Sequence, residues 1–204
     1  MHILYDEQGS DEWHASRLGV ATASCFNEIM TTKQLKRAKS QYIYLLAAEA
    51  ITGDRQDDDF DNKHMQRGRE LEPEAIAWYE YQNSVEVVQC GLCLAHEGGL
   101  YGMSPDGLIG ENGGLEIKAP ELKRHLKYKA EGVVPDEYLH QVYGCLYVSG
   151  RYWWDFMSYH TKSQPLVVRT TKDDPAYVKW AAAFDKVLPE FLTDLKKIIQ
   201  SESE

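Results

Sequence analysis

The sequence predicts an α/β chain in which helices surround a small mixed β-sheet. Three observations carry that prediction. Apolar residues in the first half recur at helical spacing, the period shortens to that of strands from Val85 onward, and the chain closes on a long amphipathic stretch. The 204 residues fit one domain spanning 1–204, and a hydrophobic content of 43% can supply its core.

The elements follow in order. In SQYIYLLAAEAITG, residues 40–53, the side chains Ile43, Leu46, Ala47, Ala50 and Ile51 share one helical face, with Ser40 as N-cap and Gly53 as stop. A second helix runs over about 62–82, and Pro73 marks a kink or restart inside it. The acidic run DDDFD, residues 57–61, reads as a solvated loop between the two. VEVVQ, LCLAH, LYGMS, DGLIG and GLEIKA then read as successive short strands, and GENGG suits a tight hairpin. A basic helix over 121–130 and another over 136–148 interrupt the strands before RYWWDFMSYH and PLVVRTT resume them. In the closing helix Tyr177, Ala181, Phe184, Leu188, Phe191, Leu195 and Ile198 form a stripe. Pro189 interrupts that stripe, which favours packing onto the domain over a coiled coil.

Composition bounds the function. No apolar run approaches the roughly 18 residues that span a bilayer, and no basic-then-apolar leader opens the chain. A soluble protein of the cytoplasm is therefore expected, with no membrane partner. With 22 Lys and Arg against 32 Asp and Glu, the net charge of −10 argues against a general nucleic-acid binder, which ordinarily shows a basic footprint. The distribution argues otherwise. Residues 75–115 hold five acidic and no basic side chains, whereas 116–129 hold five basic against two acidic ones. Cys25, Cys90, Cys93 and Cys145 come without a secretory signal, so disulfides are not expected. The lone CxxC of Cys90 and Cys93 lacks the second pair of a zinc ribbon and reads as packed strand-and-turn cysteines.

The chemistry concentrates in SPDGLIGENGGLEIKAP, residues 104–120. Glu116 and Lys118 stand two apart on one strand and share a face, and the glycine-rich turn brings Asp106 beside Glu116. Two carboxylates and the Ile117 carbonyl make a hard oxygen site suited to Mg²⁺. Such a site serves phosphodiester hydrolysis, with the lysine orienting water, accepting its proton or stabilising negative charge. By spacing alone, an exposed hairpin with an ordinary salt bridge fits equally well.

The segment resembles the PD-(D/E)xK motif of restriction-endonuclease-like nucleases through Pro105-Asp106 and Glu116-Ile117-Lys118. The likeness continues along the chain. DEWHASRLGVATAS, RGRELEPEA and EYLHQVYGCLYVSGRYWWDFMSY occur in this order in the phage lambda exonuclease, or YqaJ-type recombinase, family, and DKVLPEFLTDLKKI is similar to that family's closing helix. The resemblance implies a restriction-endonuclease-like core. It also implies metal-binding roles for Asp106, Glu116 and the Ile117 carbonyl, and a catalytic role for Lys118. Glu72 and Gln141 match residues that assist this cluster, and Arg17 and Ser24 match residues that hold a terminal 5′-phosphate. Where the best-known family member has an aspartate ten residues before the motif aspartate, this chain has His96 followed by Glu97. An imidazole there is a reasonable ligand, better for Mn²⁺ than for Mg²⁺. Read alone, Arg17 and Ser24 would be a surface arginine and a helix cap, Glu72 a solvated residue, and Gln141 an amide satisfied by backbone.

The activity implied is a metal-dependent 5′→3′ exonuclease on linear double-stranded DNA, with Mg²⁺ as cofactor, Mn²⁺ tolerated, and one or two ions per site. It starts at a 5′-phosphorylated end, releases 5′-mononucleotides and leaves a 3′ overhang for phage-type recombination. The implied partners are DNA ends, two further copies in a ring-shaped homotrimer, and a single-strand annealing protein; the implied source is a phage or prophage. Some related nucleases carry an iron–sulfur cluster, but these four cysteines lack the clustered spacing it needs, so none is expected. The alternatives are an endonuclease of the same superfamily and a non-catalytic DNA-end binder.

Overall fold

The structure is a computed structural model that describes residues 1–56 and 63–202, so the DDDFD run lies outside the described residues. The first half comprises β1 (His2–Ile3), α1 (Asp11–Ser16), β2 (Ala21–Thr22), a 3₁₀ helix (Ala23–Glu28), α2 (Tyr42–Thr52) and α3 (Lys63–Asn83). Then come β3 (Val87–Val88), β4 (Cys93–Leu94), β5 (Tyr101–Met103), β6 (Gly107–Ile109) and β7 (Gly113–Lys118). Helices α4 (Leu122–Glu131) and α5 (Asp136–Ser149), strands β8 (Trp153–His160) and β9 (Ser163–Thr171), and helix α6 (Pro175–Ser201) complete the chain. Among the described residues no helix is long and apolar enough to cross a membrane.

The strands form two sheets instead of the single one expected. One has the order β1-β4-β5-β2 and the other β3-β6-β7-β8-β9. The division falls at Ser104-Pro105, between β5 and β6. Pro105 has no N–H to continue a ladder, so the chain leaves one sheet there and enters the next. Both sheets mix parallel and antiparallel pairs: β2 runs parallel to β5, and β7 parallel to β8 across the α4–α5 crossover.

Strand β7 is central and almost wholly buried. Its glycines are steric requirements, because a β-carbon at Gly113 or Gly114 would lie 2.1 Å from the Trp153 ring or 2.2 Å from the Trp154 ring, respectively. The indole rings occupy the space a side chain would fill, which lets β8 and β7 pair closely. The GENGG turn then closes the β6–β7 hairpin, with Ile109 opposite Gly113 and Gly110 at a φ of +50°.

Helices α2, α5 and α6 cover the main core, where Phe26, Leu46, Leu146, Phe184 and Leu195 are buried together. The face assigned to α2 needs one correction. Ala50 and Ile51 are exposed, and the buried position is Glu49, whose carboxylate accepts the Gly19 N–H at 3.1 Å. The N-cap is Gln41, one residue after the expected Ser40, whose Oγ nonetheless accepts the Tyr42 N–H at 3.2 Å, and Gly53 ends the helix at a φ of +72°. Pro73 and Pro189 lie inside continuous helices. Pro189 sits on the exposed side of α6, so Phe184, Leu188, Phe191 and Leu195 stay buried across it.

Candidate active site

The β6–β7 register sets the centre. Gly107 pairs with Leu115, so Asp106 enters beside Glu116. Asp106 Oδ2 accepts the Ile117 N–H at 2.5 Å. The N–H and C=O of one strand residue point to the same edge, so the Ile117 carbonyl also faces the Asp106 side. The residue next in register there is Pro105, which has no N–H to offer that carbonyl. Glu116 is 1% exposed, and its Oε1 accepts from Lys118 Nζ at 2.5 Å and from Gln141 Nε2 at 2.6 Å. Its Oε2 is buried without a hydrogen-bond partner.

A buried carboxylate oxygen left bare is costly unless a cation meets it. The residues therefore fit a hard divalent ion held by Asp106, Glu116 Oε2 and the Ile117 carbonyl. No three His, Cys, Asp or Glu side chains among the described residues are grouped to hold an ion.

Helix α3 brings Glu72 to the same cavity, about 1020 Å³ in volume, which Asp106, Ile117, Lys118 and Tyr138 also line. Gln89 Nε2 donates to Glu72 Oε1 at 3.1 Å. Burial, and then the neighbouring Asp106, push the Glu72 carboxyl up to about 7. Burial pushes Glu116 up to about 8 against the opposing pull of Lys118, and burial raises Asp106 as well. Burial alone would lower the Lys118 ammonium, but Glu116 and Asp106 outweigh it and hold the group above the ordinary lysine value. Lys118 Nζ also stands 5.4 Å from the centre of the Tyr138 ring.

A second cavity, about 1190 Å³, shares Arg69 and Glu72 with the first and holds Arg17, Trp13, Thr22 and Cys25. Arg17 donates to Ser104 Oγ at 2.9 Å and to Thr22 Oγ1 at 3.4 Å, and its guanidinium lies 4.3 Å over the Trp13 ring. Burial lowers its pKa, and no ion pair offsets its charge among the described residues. Ser24 is exposed at the start of the 3₁₀ helix, with its Oγ 3.2 Å from Thr22 Oγ1, so it joins the arginine through that threonine.

His96 does not join the carboxylates. Leu94 pairs with Gly102 and Cys93 with Met103, which puts His96 and Glu97 at the turn of that hairpin while Asp106 follows its open end. The ring is exposed, bonds the Glu97 carbonyl at 3.1 Å and meets the edge of Tyr101. A spacing of ten residues was spent on a turn. Cys90 and Cys93 are free and buried, with their sulfurs 3.5 Å apart.

Sequence reasoning missed Ser104, Trp13, Gln89 and Arg151. Ser104 bonds both Arg17 and Trp13 Nε1 and lies in the link between the two sheets, two residues before Asp106. Arg151 Nη1 donates to the carbonyls of Gly110 at 2.7 Å and Gly113 at 2.8 Å, clamping the hairpin turn from the far end. Nothing in the sequence near Arg151 signals that.

Fold and site together define an α/β protein that presents two carboxylates and a lysine from one hairpin, between an arginine pocket and a basic wall. The chain belongs to the YqaJ-like viral recombinase domain family, whose model matches residues 12–152. Among solved structures it is similar to an alkaline exonuclease, LHK-Exo, from Laribacter hongkongensis, with 30% identity, a TM-score of 0.78 and coverage of 95% of this chain and 98% of that one. The same enzyme in complex with dAMP matches at 32% identity and a TM-score of 0.77, again over 95% and 98% of the two chains. A phage-related exonuclease from Haemophilus somnus 129PT shares the fold at 13% identity, with a TM-score of 0.55 over 86% of this chain and 96% of that one. No curated protein matches the chain.

Proposed function

We propose that the protein is a metal-dependent 5′→3′ exonuclease that digests one strand of linear duplex DNA from a 5′-phosphorylated end. It releases 5′-mononucleotides and leaves a 3′ overhang for recombination. The observation that carries this reading is the bare, buried Oε2 of Glu116 beside Asp106 and Lys118 on one hairpin. The similarity to LHK-Exo supports the exonuclease class.

Asp106, Glu116 and the Ile117 carbonyl would hold Mg²⁺, with Mn²⁺ an acceptable substitute and one or two ions per site. When bound, such an ion polarises the scissile phosphoryl group and acidifies water. Lys118, held as an ammonium, orients the attacking water and offsets charge that develops on the phosphate. Glu72, on the wall of the same cavity, assists Lys118 in handling the attacking water. Gln141 ties down Oε1 of Glu116 and so fixes which oxygen stays available. Arg17, preset by Ser104 and Trp13, grips the 5′-phosphate, with Ser24 and Thr22 beside it. A ring-shaped homotrimer and a single-strand annealing partner complete the proposal; sedimentation of the purified protein checks the first and co-purification the second.

The test is digestion of linear duplexes bearing one 5′-phosphorylated end, with and without Mg²⁺, followed by sizing of products. Mononucleotides released only with the ion, and from that end, are expected. Rapid cutting of a covalently closed circular duplex would instead establish an endonuclease.

A further inference from the structure

We infer that the outer face of α4 is a track for the phosphates that lie 3′ of the scissile bond on the strand being cut. This rests on the preceding reading, in which Arg17 holds the 5′ end. Arg69 and Glu72 line both cavities, which makes them neighbours across α3. Arg17 lines one, whereas Asp106 and Lys118 line the other together with Lys123, Arg124 and Lys127. A strand whose 5′-phosphate meets Arg17 and whose next phosphate reaches Asp106 continues, in its 3′ direction, along the wall made by α4.

The helix is mounted for that role. On its inner side His125 Nδ1 bonds Ser158 Oγ at 2.8 Å, and the Tyr128 hydroxyl donates to Glu137 at 2.7 Å. Both rings are buried, so Lys123, Arg124 and Lys127 are turned to the cavity. Lys123 and Lys127 are one helical turn apart, a rise of about 6 Å, comparable with the step between successive phosphates on a strand. Lys129, the remaining cation of the cluster, faces away toward Ser163 at 3.3 Å.

The cations of the wall are also available. Arg124 stands 4.0 Å from Glu137 and Lys127 3.7 Å from Glu131, pairs so exposed that a phosphate displaces them readily. Lys123 has no ion pair among the described residues. Beside Glu72, Asp106 and Glu121, which line the same cavity, a track without these cations would repel the strand it must deliver.

The test compares the wild type with the Lys123→Ala, Lys127→Ala double variant, after confirming equal thermal unfolding of the two. Release of the first nucleotides is followed on duplexes with a 5′-phosphate or a 5′-hydroxyl, with or without neutral methylphosphonate linkages just 3′ of the scissile bond. Each phosphate contact changes log K by about 0.9 per decade of salt, so KM of the wild type should rise about 10-fold more than that of the variant between about 50 and about 200 mM salt. Neutral linkages should weaken the wild type more than the variant, which retains only Arg124 of the wall, while both keep the same preference for a 5′-phosphate. Equal salt dependence with equal sensitivity to the neutral linkages would overturn the track while leaving the exonuclease reading intact. A wild type that shows no preference for 5′-phosphorylated ends, or that digests from the 3′ end, would overturn both.

Discussion

Arg17→Met separates a residue kept for function from one kept for stability. In the folded protein Arg17 makes one good hydrogen bond to a neutral hydroxyl, Ser104 at 2.9 Å, a weak one to Thr22 at 3.4 Å, and a cation–π contact with Trp13. These contribute about 1 kcal/mol, a few tenths, and about 1 kcal/mol, respectively. Against them stands the desolvation of a buried cation, a cost of several kcal/mol that the attraction of Glu49 opposes only in part. The balance is near zero or unfavourable, so methionine, which preserves the apolar stem on Trp13, should leave unfolding in urea unchanged or raise its midpoint. The phosphate interaction is different in kind. Two charge-assisted bonds contribute about 1.5–3 kcal/mol each, and even one of them is a factor of about 10 to 100. Initial rates on 5′-phosphorylated and 5′-hydroxyl duplexes measure the preference, which should fall by at least about 10-fold in the variant. A variant that is destabilised by more than about 1 kcal/mol yet keeps the wild-type preference would refute the reasoning.

Lys118→Ala should lower nucleotide release by at least about 100-fold with little change in KM, read from single-turnover and steady-state rates; wild-type turnover would remove Lys118 from the chemistry. Burial holds His140 down to about 4 from an ordinary 6.5, with Trp180 Nε1 donating to its Nδ1 and Thr32 Oγ1 3.1 Å from its Nε2. The unfolded chain binds that proton first, so the stability the neutral ring contributes is complete above the unfolded value and is lost as pH falls toward the folded one. The wild type should lose about 2 kcal/mol more than His140→Gln between about pH 7 and about pH 5 in urea unfolding, and parallel losses would count against it. Gly114→Ala should lower the thermal midpoint, by about 1–3 kcal/mol in stability, because the Trp154 ring fills the space its methyl needs; an unchanged midpoint would mean that β7 and β8 can separate.

The hairpin that carries Asp106, Glu116 and Lys118 was legible because its information is local. Alternation puts Glu116 and Lys118 on one face, and a short glycine-rich turn leaves Asp106 only one place to go. Helices α2 to α5 were legible for the same reason, to within a residue or two at their ends, and so was the closing α6, whereas the short α1 was not read. What escaped was set by the partner surface. Glu49 is buried because a loop N–H needs an acceptor, a demand written at Gly19 and invisible along α2. The split into two sheets turns on Pro105, which the motif made conspicuous as a signature and so masked as a ladder breaker. His96 failed because residues ten apart are neighbours only if the chain between them runs straight, and here it doubles back. Arg17, by contrast, gave no local signal of its surroundings; its meaning came from order along the chain, and its burial over Trp13 came only from the fold.

The net charge of −10 takes on a different sense once the charges have positions. Screening limits each charge to a range of about 8–10 Å at physiological salt, so a strand at the centre responds to the residues around it and little to the total. Those residues are Arg17, Lys118 and the α4 cations, set against Glu72, Asp106 and Glu116, whose pKa values are raised chiefly by burial. An acidic remainder then weakens binding wherever the cavities are absent. For a nuclease that must find an end, weak attachment along the duplex is useful: side-on encounters would dissociate quickly, and on the proposed reading only an end could place a phosphate on Arg17 and the next one at Asp106. Selectivity for ends would thus arise from two local sites that a continuous duplex cannot fill together, with the overall charge suppressing the alternatives.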